Sequence, residues 1–331
     1  MVDTFSRRKV CVAGAASFGI LAGGFLNLTA SAQPTDPAKK LPPGTTPIRL
    51  ATRMVRKSNE SPEQTVKHIR ESGYTSVNTQ PSQWNDPELA EMRAALKKFE
   101  VTVFEVTVFE VGAYSNIIHP DAAERRKILT AITKKFEDAE KIGGLMVTTV
   151  SGCCDPKYLI NPHPENWTAA AWKVLVQSVR QILKDTAGMK VTLGMEAQVT
   201  TNIDSLQAHR RLIDDMGDPR CAVNLDPTNM ISLDRYFHTS ELLNECFDIL
   251  GESILGCHAK DTFIQPDIQT LHIQEVCPGR GVMDYETFLV RMSRMKWPRA
   301  IFPEHLPQDQ YAEADGYIIK TAEKAGVKIY R

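Results

Sequence analysis

The chain predicts an α/β fold, a (β/α)8 TIM barrel in which a parallel eight-stranded barrel is wrapped by outer helices. Three observations predict it. Short apolar runs of β-type composition recur eight times between residues 48 and 303. Helical periods separate them, and alternating β and α units imply a parallel sheet covered by helices through right-handed crossovers. No Gly-rich dinucleotide fingerprint follows the first strand, which favours a closed barrel over an open doubly wound sheet.

The strand runs, in order, are 48–52, 75–79, a run within 101–111, 145–150, 191–196, 222–226, 254–258 and 300–303. Between the third and fourth, Pro120 opens a helix whose Ile128, Leu129, Ile132, Phe136, Ala139 and Ile142 share one face before Gly143 and Gly144 stop it. Residues 172–183 and 288–295 repeat the scheme, the latter with Asp284 as N-cap. The third strand has an ambiguous register, because Val101-Thr102-Val103-Phe104-Glu105 is followed at once by its copy Val106-Thr107-Val108-Phe109-Glu110. A period of five is odd, so equivalent residues of the two copies face opposite ways on a strand. Glu110, just before Val111 and Gly112, is the residue expected at the rim.

Ahead of the barrel, Ser6-Arg7-Arg8-Lys9 precedes a weakly hydrophobic stretch rich in Gly and Ala, which ends in Ala30-Ser31-Ala32. Residues 1–32 therefore read as a twin-arginine-type signal peptide, and the expected location is exported, periplasmic. A permanent anchor is the alternative; Gly14, Gly19, Gly23 and Gly24 make the stretch a poor spanning helix, so no stable membrane insertion is expected after cleavage. Residues 33–45, with Pro34, Pro37, Pro42 and Pro43, read as a flexible lead-in, and 46–331 as one barrel domain. Taking the leader from the 331 residues leaves 331 − 32 = 299, near the roughly 250 of a typical barrel with some excess in loops. Lys and Arg number 39 against 40 Asp and Glu, with no basic stripe, which excludes nucleic acid as an expected partner. Association into a homo-oligomer stays open. Of seven cysteines, Cys221, Cys246 and Cys257 sit in apolar runs and read as small buried hydrophobes. Cys153, Cys154 and Cys277 match no zinc or redox spacing, and no chemistry is assigned to them.

Chemistry gathers at the ends of the last four barrel strands. The runs VTLGME, CAVNLD, ILGCH and AIFPE end in Glu196, Asp226, His258 and Glu304, one acidic or imidazole group each. Such groups at successive strand ends face one point above the C-terminal rim, where barrels build active sites. Three carboxylates and one imidazole suit a single divalent ion, Mn²⁺ or Mg²⁺ by their oxygen-rich character, with Zn²⁺, Co²⁺ and Fe²⁺ also accommodated. Taken singly, each carboxylate reads equally as a loop residue or helix cap and His258 as a core histidine; the joint pattern carries the inference.

With these residues in place, residues 46–325 resemble the sugar phosphate isomerase/epimerase family of the xylose isomerase-like TIM barrel superfamily. His258-Ala259-Lys260-Asp261 is similar to its His-x-Lys-Asp segment, and Pro278-Gly279-Arg280-Gly281 to its Pro-Gly-x-Gly loop. The resemblance implies one metal held by Glu196, Asp226, His258 and Glu304, with Glu196 and Glu304 doubling as the acid/base pair. A metal-bound carbonyl acidifies the neighbouring C–H, and a carboxylate on each side moves the proton. Asn229 falls where many epimerases of the family carry a substrate-binding His, and is the corresponding candidate here. Lys260 and Arg280 are candidates for substrate oxygens, against the alternative of salt-bridged cations, and Glu110 is a candidate at the rim. Gly279 and Gly281 read as loop geometry, because no helix start with a phosphate cradle follows. The expected activity is metal-dependent isomerisation or epimerisation of an unphosphorylated sugar or keto-sugar through an enediolate. The alternative in the same site is a lyase or dehydratase, by β-elimination on a 3-keto-glycoside or inosose-like substrate. An endonuclease IV-like repair enzyme is a remote alternative, since its extra histidines are replaced here around Asn78, Glu110 and Asn229; a catalytically silent sugar-binding protein is the last.

Overall fold

A computed structural model describes residues 41–57, 59–108 and 115–331; the leader and Glu110 lie outside the described residues. The eight barrel strands are β1 (Ile48–Met54), β2 (Ser76–Thr79), β3 (Thr102–Thr107), β4 (Met146–Val150), β5 (Thr192–Glu196), β6 (Cys221–Leu225), β7 (Ile254–Ala259) and, after a two-stranded insertion, β10 (Ala300–Pro303). Consecutive strands pair in parallel, and β10 pairs with both β7 and β1, which closes the barrel. The insertion is an antiparallel hairpin of β8 (Asp261–Ile264) and β9 (Ile273–Val276) between the seventh barrel strand and its helix, and sequence periodicity did not anticipate it. A short β11 (Ile329–Tyr330) adds to β1.

Helices follow the barrel strands: α1 (Pro62–Glu71), α2 (Asp86–Lys98), α3 (Ala122–Ile142), α4 (Ala169–Asp185), α5 (Leu206–Met216), α6 (Thr239–Leu250), α7 (Tyr285–Ser293) and α8 (Tyr311–Ala325). Their starts are chemically specified. Ser61 with Gln64 and Asn85 with Glu88 form capping boxes on α1 and α2, and Asp284 caps α7 as the sequence predicts. Helix α3 begins at Ala122 rather than at Pro120, because the Asp121 carboxylate accepts from the N–H groups of Ala123 (2.7 Å) and Glu124 (3.0 Å) and sets the first turn there. Gly143, at φ +76°, ends it in the left-handed conformation. No helix among the described residues is long and apolar enough to cross a membrane.

Strand parity sorts the core into two compartments. Leu193, Met195, Val223, Leu225, Cys257 and Ile301 face outward beneath the helices and belong to the main hydrophobic core. Their inward neighbours Ala51, Phe104, Met146, Ala300 and Phe302 form a smaller cluster inside the barrel. Bulky Met146 fits because Gly194 stands opposite: a Cβ there would lie 2.3 Å from the methionine sulfur. Each proposed site residue continues an inward row, Glu196 after Gly194, Asp226 after Asn224, His258 after Gly256 and Glu304 after Phe302, so the polar site sits directly on this apolar plug.

Beyond β4 the chain passes through Gly152 at φ +84°, packed on Asn116, whose side-chain amide donates to Cys153 O (2.7 Å). A Cβ on Gly152 would stand 2.0 Å from Asn116 Oδ1. Gly152→Ala is expected to destabilise the protein by about 3 kcal/mol, combining left-handed strain with overpacking. Thermal unfolding followed by circular dichroism checks this; an unchanged midpoint would contradict the packing described.

Candidate metal centre

Glu196 ends β5, Asp226 follows β6, His258 lies near the end of β7 and Glu304 follows β10. The structure brings all four together: one ligand atom from each lies within 4.8 Å of the others, and all four side chains are buried. Glu196, Asp226 and His258 each have one atom held by protein and another without a hydrogen bond. Glu196 Oε1 accepts from Asn229 Nδ2 (2.5 Å), and Asp226 Oδ1 accepts from the Thr228 N–H (3.0 Å). Glu196 Oε2, Asp226 Oδ2 and His258 Nδ1 make no hydrogen bond, although buried polar atoms are nearly always satisfied.

Two cations share this space. His258 Nδ1 is 2.8 Å from Glu304 Oε1 and 3.5 Å from Glu196 Oε2. Lys260, buried, places its ammonium 2.7 Å from Asp226 Oδ2, 2.6 Å from Glu304 Oε1 and 3.7 Å from Glu275 Oε2. The Lys260–Asp226 contact and the Nδ1–Glu304 contact have ion-pair distances without hydrogen-bond angles, so the same atoms remain open to a ligand.

The other face of the imidazole is fixed by a residue that periodicity did not reveal. Glu105, completely buried, accepts from Asn78 Nδ2 (2.8 Å) and Asn224 Nδ2 (3.1 Å), and its Oε2 lies 3.1 Å from His258 Nε2. Asn224 Nδ2 also lies 2.9 Å from Nε2; with the Nε2–H turned to the Glu105 carboxyl, Nδ1 is the ring atom left for a ligand. Glu105 reaches this position through a bulge: Val77 pairs with Val103 but Asn78 pairs with Glu105, leaving Phe104 unpaired. Strict alternation would send Phe104 and Glu105 to opposite faces, whereas a bulge turns both into the barrel. A readable signal did exist at Asn224, a polar residue at an inward position of an apolar strand, two before Asp226.

Burial and charge push the two glutamates apart. Glu196 is raised to about 7, first by burial, with Glu304 and Asp226 adding to the shift against His258 and Lys260. Burial acts the same way on Glu304, yet the adjacent His258 and Lys260 overcome it and hold Glu304 below the ordinary carboxylate range. Burial would neutralise His258, but Glu304, Glu105 and Glu196 raise it well above its usual value. Lys260 likewise stays charged, since Asp226, Glu304, Glu196 and Glu275 outweigh its burial.

Four buried carboxylates, Glu105, Glu196, Asp226 and Glu304, thus face two cations. Buried charge is costly unless paired, and the open oxygens and ring nitrogen form an oxygen-rich set that a divalent cation fits. Of the other candidates, Asn229 orients Glu196 and Lys260 joins the cage, while the Arg280 guanidinium is taken by Glu313 (2.7 and 2.5 Å) outside it. Asp261 accepts from the N–H groups of Thr262, Gly279, Gly281 and Met283, which ties the His-x-Lys-Asp segment to the Pro-Gly-x-Gly loop and gives those glycines the loop role expected. The six cysteines among the described residues are all free.

Comparison with solved structures returns the same architecture. A xylose isomerase domain protein from Planctomyces limnophilus matches with TM-score 0.63 at 16% identity, over 86% of this chain and 99% of that one. A xylose isomerase-like TIM barrel protein from Mycobacterium smegmatis, in complex with magnesium, gives 0.59 at 17% over 84% and 97%. The 3-keto-D-glucoside 4-epimerase of E. coli gives 0.58 at 16% over 82% and 99%. At these identities the likeness concerns the fold. No curated protein matches the chain. The family model described as the xylose isomerase-like TIM barrel matches residues 66–321, and with that span and this closed barrel the chain belongs to the xylose isomerase-like TIM barrel family.

Proposed function

We propose that this protein is a metal-dependent isomerase or epimerase of an unphosphorylated sugar or keto-sugar, with Glu196 and Glu304 as its proton-transfer pair. The observation that carries the reading is a buried four-ligand cage in which two of the ligands are glutamates, one at the end of β5 and one just after β10. Two carboxylates beside one bound substrate can take a proton from carbon and return it. A divalent ion held by Glu196, Asp226, His258 and Glu304 would supply Lewis-acid stabilisation of negative charge on a substrate carbonyl and neighbouring hydroxyl. Glu304, kept ionised by His258 and Lys260, is placed to take a proton from carbon. Glu196, the second carboxyl of the cage, is placed to return a proton to the substrate, and Asn229 fixes its carboxyl plane. Lys260 is placed to donate to substrate oxygens once Asp226 and Glu304 turn to other partners. Support for a keto-sugar comes from the fold's likeness to a 3-keto-D-glucoside 4-epimerase, and support for the metal from the magnesium complex of the M. smegmatis barrel.

The same abstraction beside a ketone also starts β-elimination, so a 3-keto-glycoside lyase is the second reading. Incubating metal-loaded protein with ketoses and 3-keto-glycosides in D₂O separates the two by proton NMR. Deuterium exchange with every substituent retained supports isomerisation or epimerisation; a released aglycone with an enone supports elimination. Exchange at no carbon of any substrate would remove the proposal. We also propose export, from the leader at residues 1–32; cell fractionation that finds the chain unprocessed in the cytoplasm would refute it.

Glu105 gives a separate handle. Glu105→Gln keeps shape but takes the acceptor-only carboxylate from His258 Nε2, and groups of this kind typically control metal affinity by 10–100-fold. The affinity for Mn²⁺ in calorimetry is expected to fall by roughly that factor. An unchanged affinity would deny Glu105 this role.

A further inference from the structure

A cavity of about 290 Å³ is lined by neighbours of the cage but by none of its four ligands. Its wall includes Glu275 from the inserted hairpin, Arg280, His305, Leu306, Pro307 and Gln310. Two residues of its wall, Glu275 and His305, touch two residues of the cage, Lys260 and Glu304, in a closed ring of contacts. Glu304 Oε1 is 2.6 Å from Lys260 Nζ, Lys260 Nζ is 3.7 Å from Glu275 Oε2, Glu275 Oε2 is 3.2 Å from His305 Nδ1, and His305 Nε2 is 3.8 Å from Glu304 Oε2. A substituent projecting from the cage on the side of Glu304 would have Glu275 and His305 as its neighbours.

Two features mark this wall as built rather than incidental. His305 has φ +58°, one of only three non-glycine residues with positive φ among the described residues. The turn leaves the imidazole 56% exposed at the mouth instead of packing it inward. The hairpin is an addition to the eight-fold repeat, and of its two strands β9 delivers Glu275 to both Lys260 and His305.

The chemistry of the wall narrows what it holds. Glu275 offers acceptors, His305 and Gln310 offer both donors and acceptors, and Leu306 with Pro307 offers an apolar surface for C–H groups. Hydroxyls around a ring with apolar faces need this mixture. The Arg280 guanidinium has little to offer an anionic group, because Glu313 already engages it in two contacts of 2.7 and 2.5 Å, and the Glu275 carboxyl also lines the cavity. The volume lies at the lower end of the roughly 300–1,000 Å³ of small-molecule clefts, room for one ring.

We propose that this cavity is a distal subsite for a second, neutral pyranose unit, so that the substrate is a keto-disaccharide or closely similar glycoside rather than a free monosaccharide. The proposal rests on the reading of the cage as a keto-sugar proton-transfer centre. Sugar attached to the unit held at Glu304 extends over His305 and hydrogen-bonds to Glu275 and Gln310.

The test compares kcat/KM for 3-keto-D-glucose and for 3-keto-glucosyl disaccharides, using the metal-loaded full chain and D₂O exchange as the common readout. Wild type is expected to prefer a disaccharide at least ten-fold. Glu275→Ala and Gln310→Ala are each expected to lower that preference ratio at least five-fold; Gln310, partly exposed at the start of α8, serves where loss of Glu275 beside Lys260 harms folding. Equal turnover of both substrate classes, or a preference unmoved by either variant, overturns the subsite and leaves the proposed reaction standing. Exchange into neither class with any divalent metal overturns the reaction and the subsite with it.

Discussion

Glu304→Gln is expected to lower kcat by about 10³-fold or more at saturating metal, equivalent to roughly 4 kcal/mol of transition-state stabilisation. The substitution keeps the volume and one oxygen while removing both the negative charge and the basicity. In the present geometry that charge is what His258 and Lys260 surround, at 2.8 and 2.6 Å from Oε1. Their influence keeps Glu304 ionised against its burial. A neutral amide cannot take a proton from carbon at any accessible pH, so raising the metal concentration restores occupancy without restoring rate. Glu196→Gln should act on the same step, and the double variant should be scarcely worse than either single one, as with residues that work as a unit. Steady-state kinetics with metal content measured on each sample decides the matter. A Glu304→Gln enzyme within ten-fold of wild type, metal-loaded and folded, would end the acid/base assignment.

The parts of this site that sequence reveals are those governed by strand parity alone. Strands buried on both faces read as apolar runs, and a polar residue at the end of each run has nowhere to go but the rim. Glu196, Asp226, His258 and Glu304 all obey that rule, and the structure brings their ligand atoms together. Glu105 escapes it because a bulge at Phe104 breaks the alternation, and the tandem copy of its pentapeptide draws attention to Glu110 instead. Glu275 escapes for a different reason: it sits in a hairpin whose exposed, mixed composition resembles loop, so neither period registers there. The start of α3 was displaced by two residues because Pro120 is a weaker local signal than the Asp121 carboxylate on two backbone N–H groups. What is lost, then, is side-chain traffic between strands, such as Asn78, Glu105, Asn224 and His258 meeting from four of them, which depends on register and not on pattern.

Divalent-cation affinity is expected to rise steeply with pH, by about ten-fold per unit or more, up to about 7, because ligation requires protons to leave. Glu196 retains its proton up to about 7, chiefly through burial. His258 also holds its second proton well above the usual range, with burial outweighed by Glu304, Glu105 and Glu196. Below pH 7 both must be displaced; above it only the imidazole proton remains, and the slope should ease from two protons per ion to one, about ten-fold per unit. The sign for stability is opposite in the metal-free protein. Glu196, raised from 4.5, binds a proton in the folded chain that the unfolded chain has released, so its contribution is fully present below 4.5 and is lost as pH rises through about 7. Glu304, displaced downward, loses its contribution only in acid and leaves this window unaffected. The shift in melting temperature on adding Mn²⁺ should therefore grow from pH 5.5 to 7.5, since the ion binds only the folded, deprotonated cage. Calorimetry at those pH values in two buffers of different ionisation enthalpy should show at least one proton released per ion. An affinity flat across that interval, or binding without proton release, would mean that the buried glutamate and imidazole are not the groups that grip the ion.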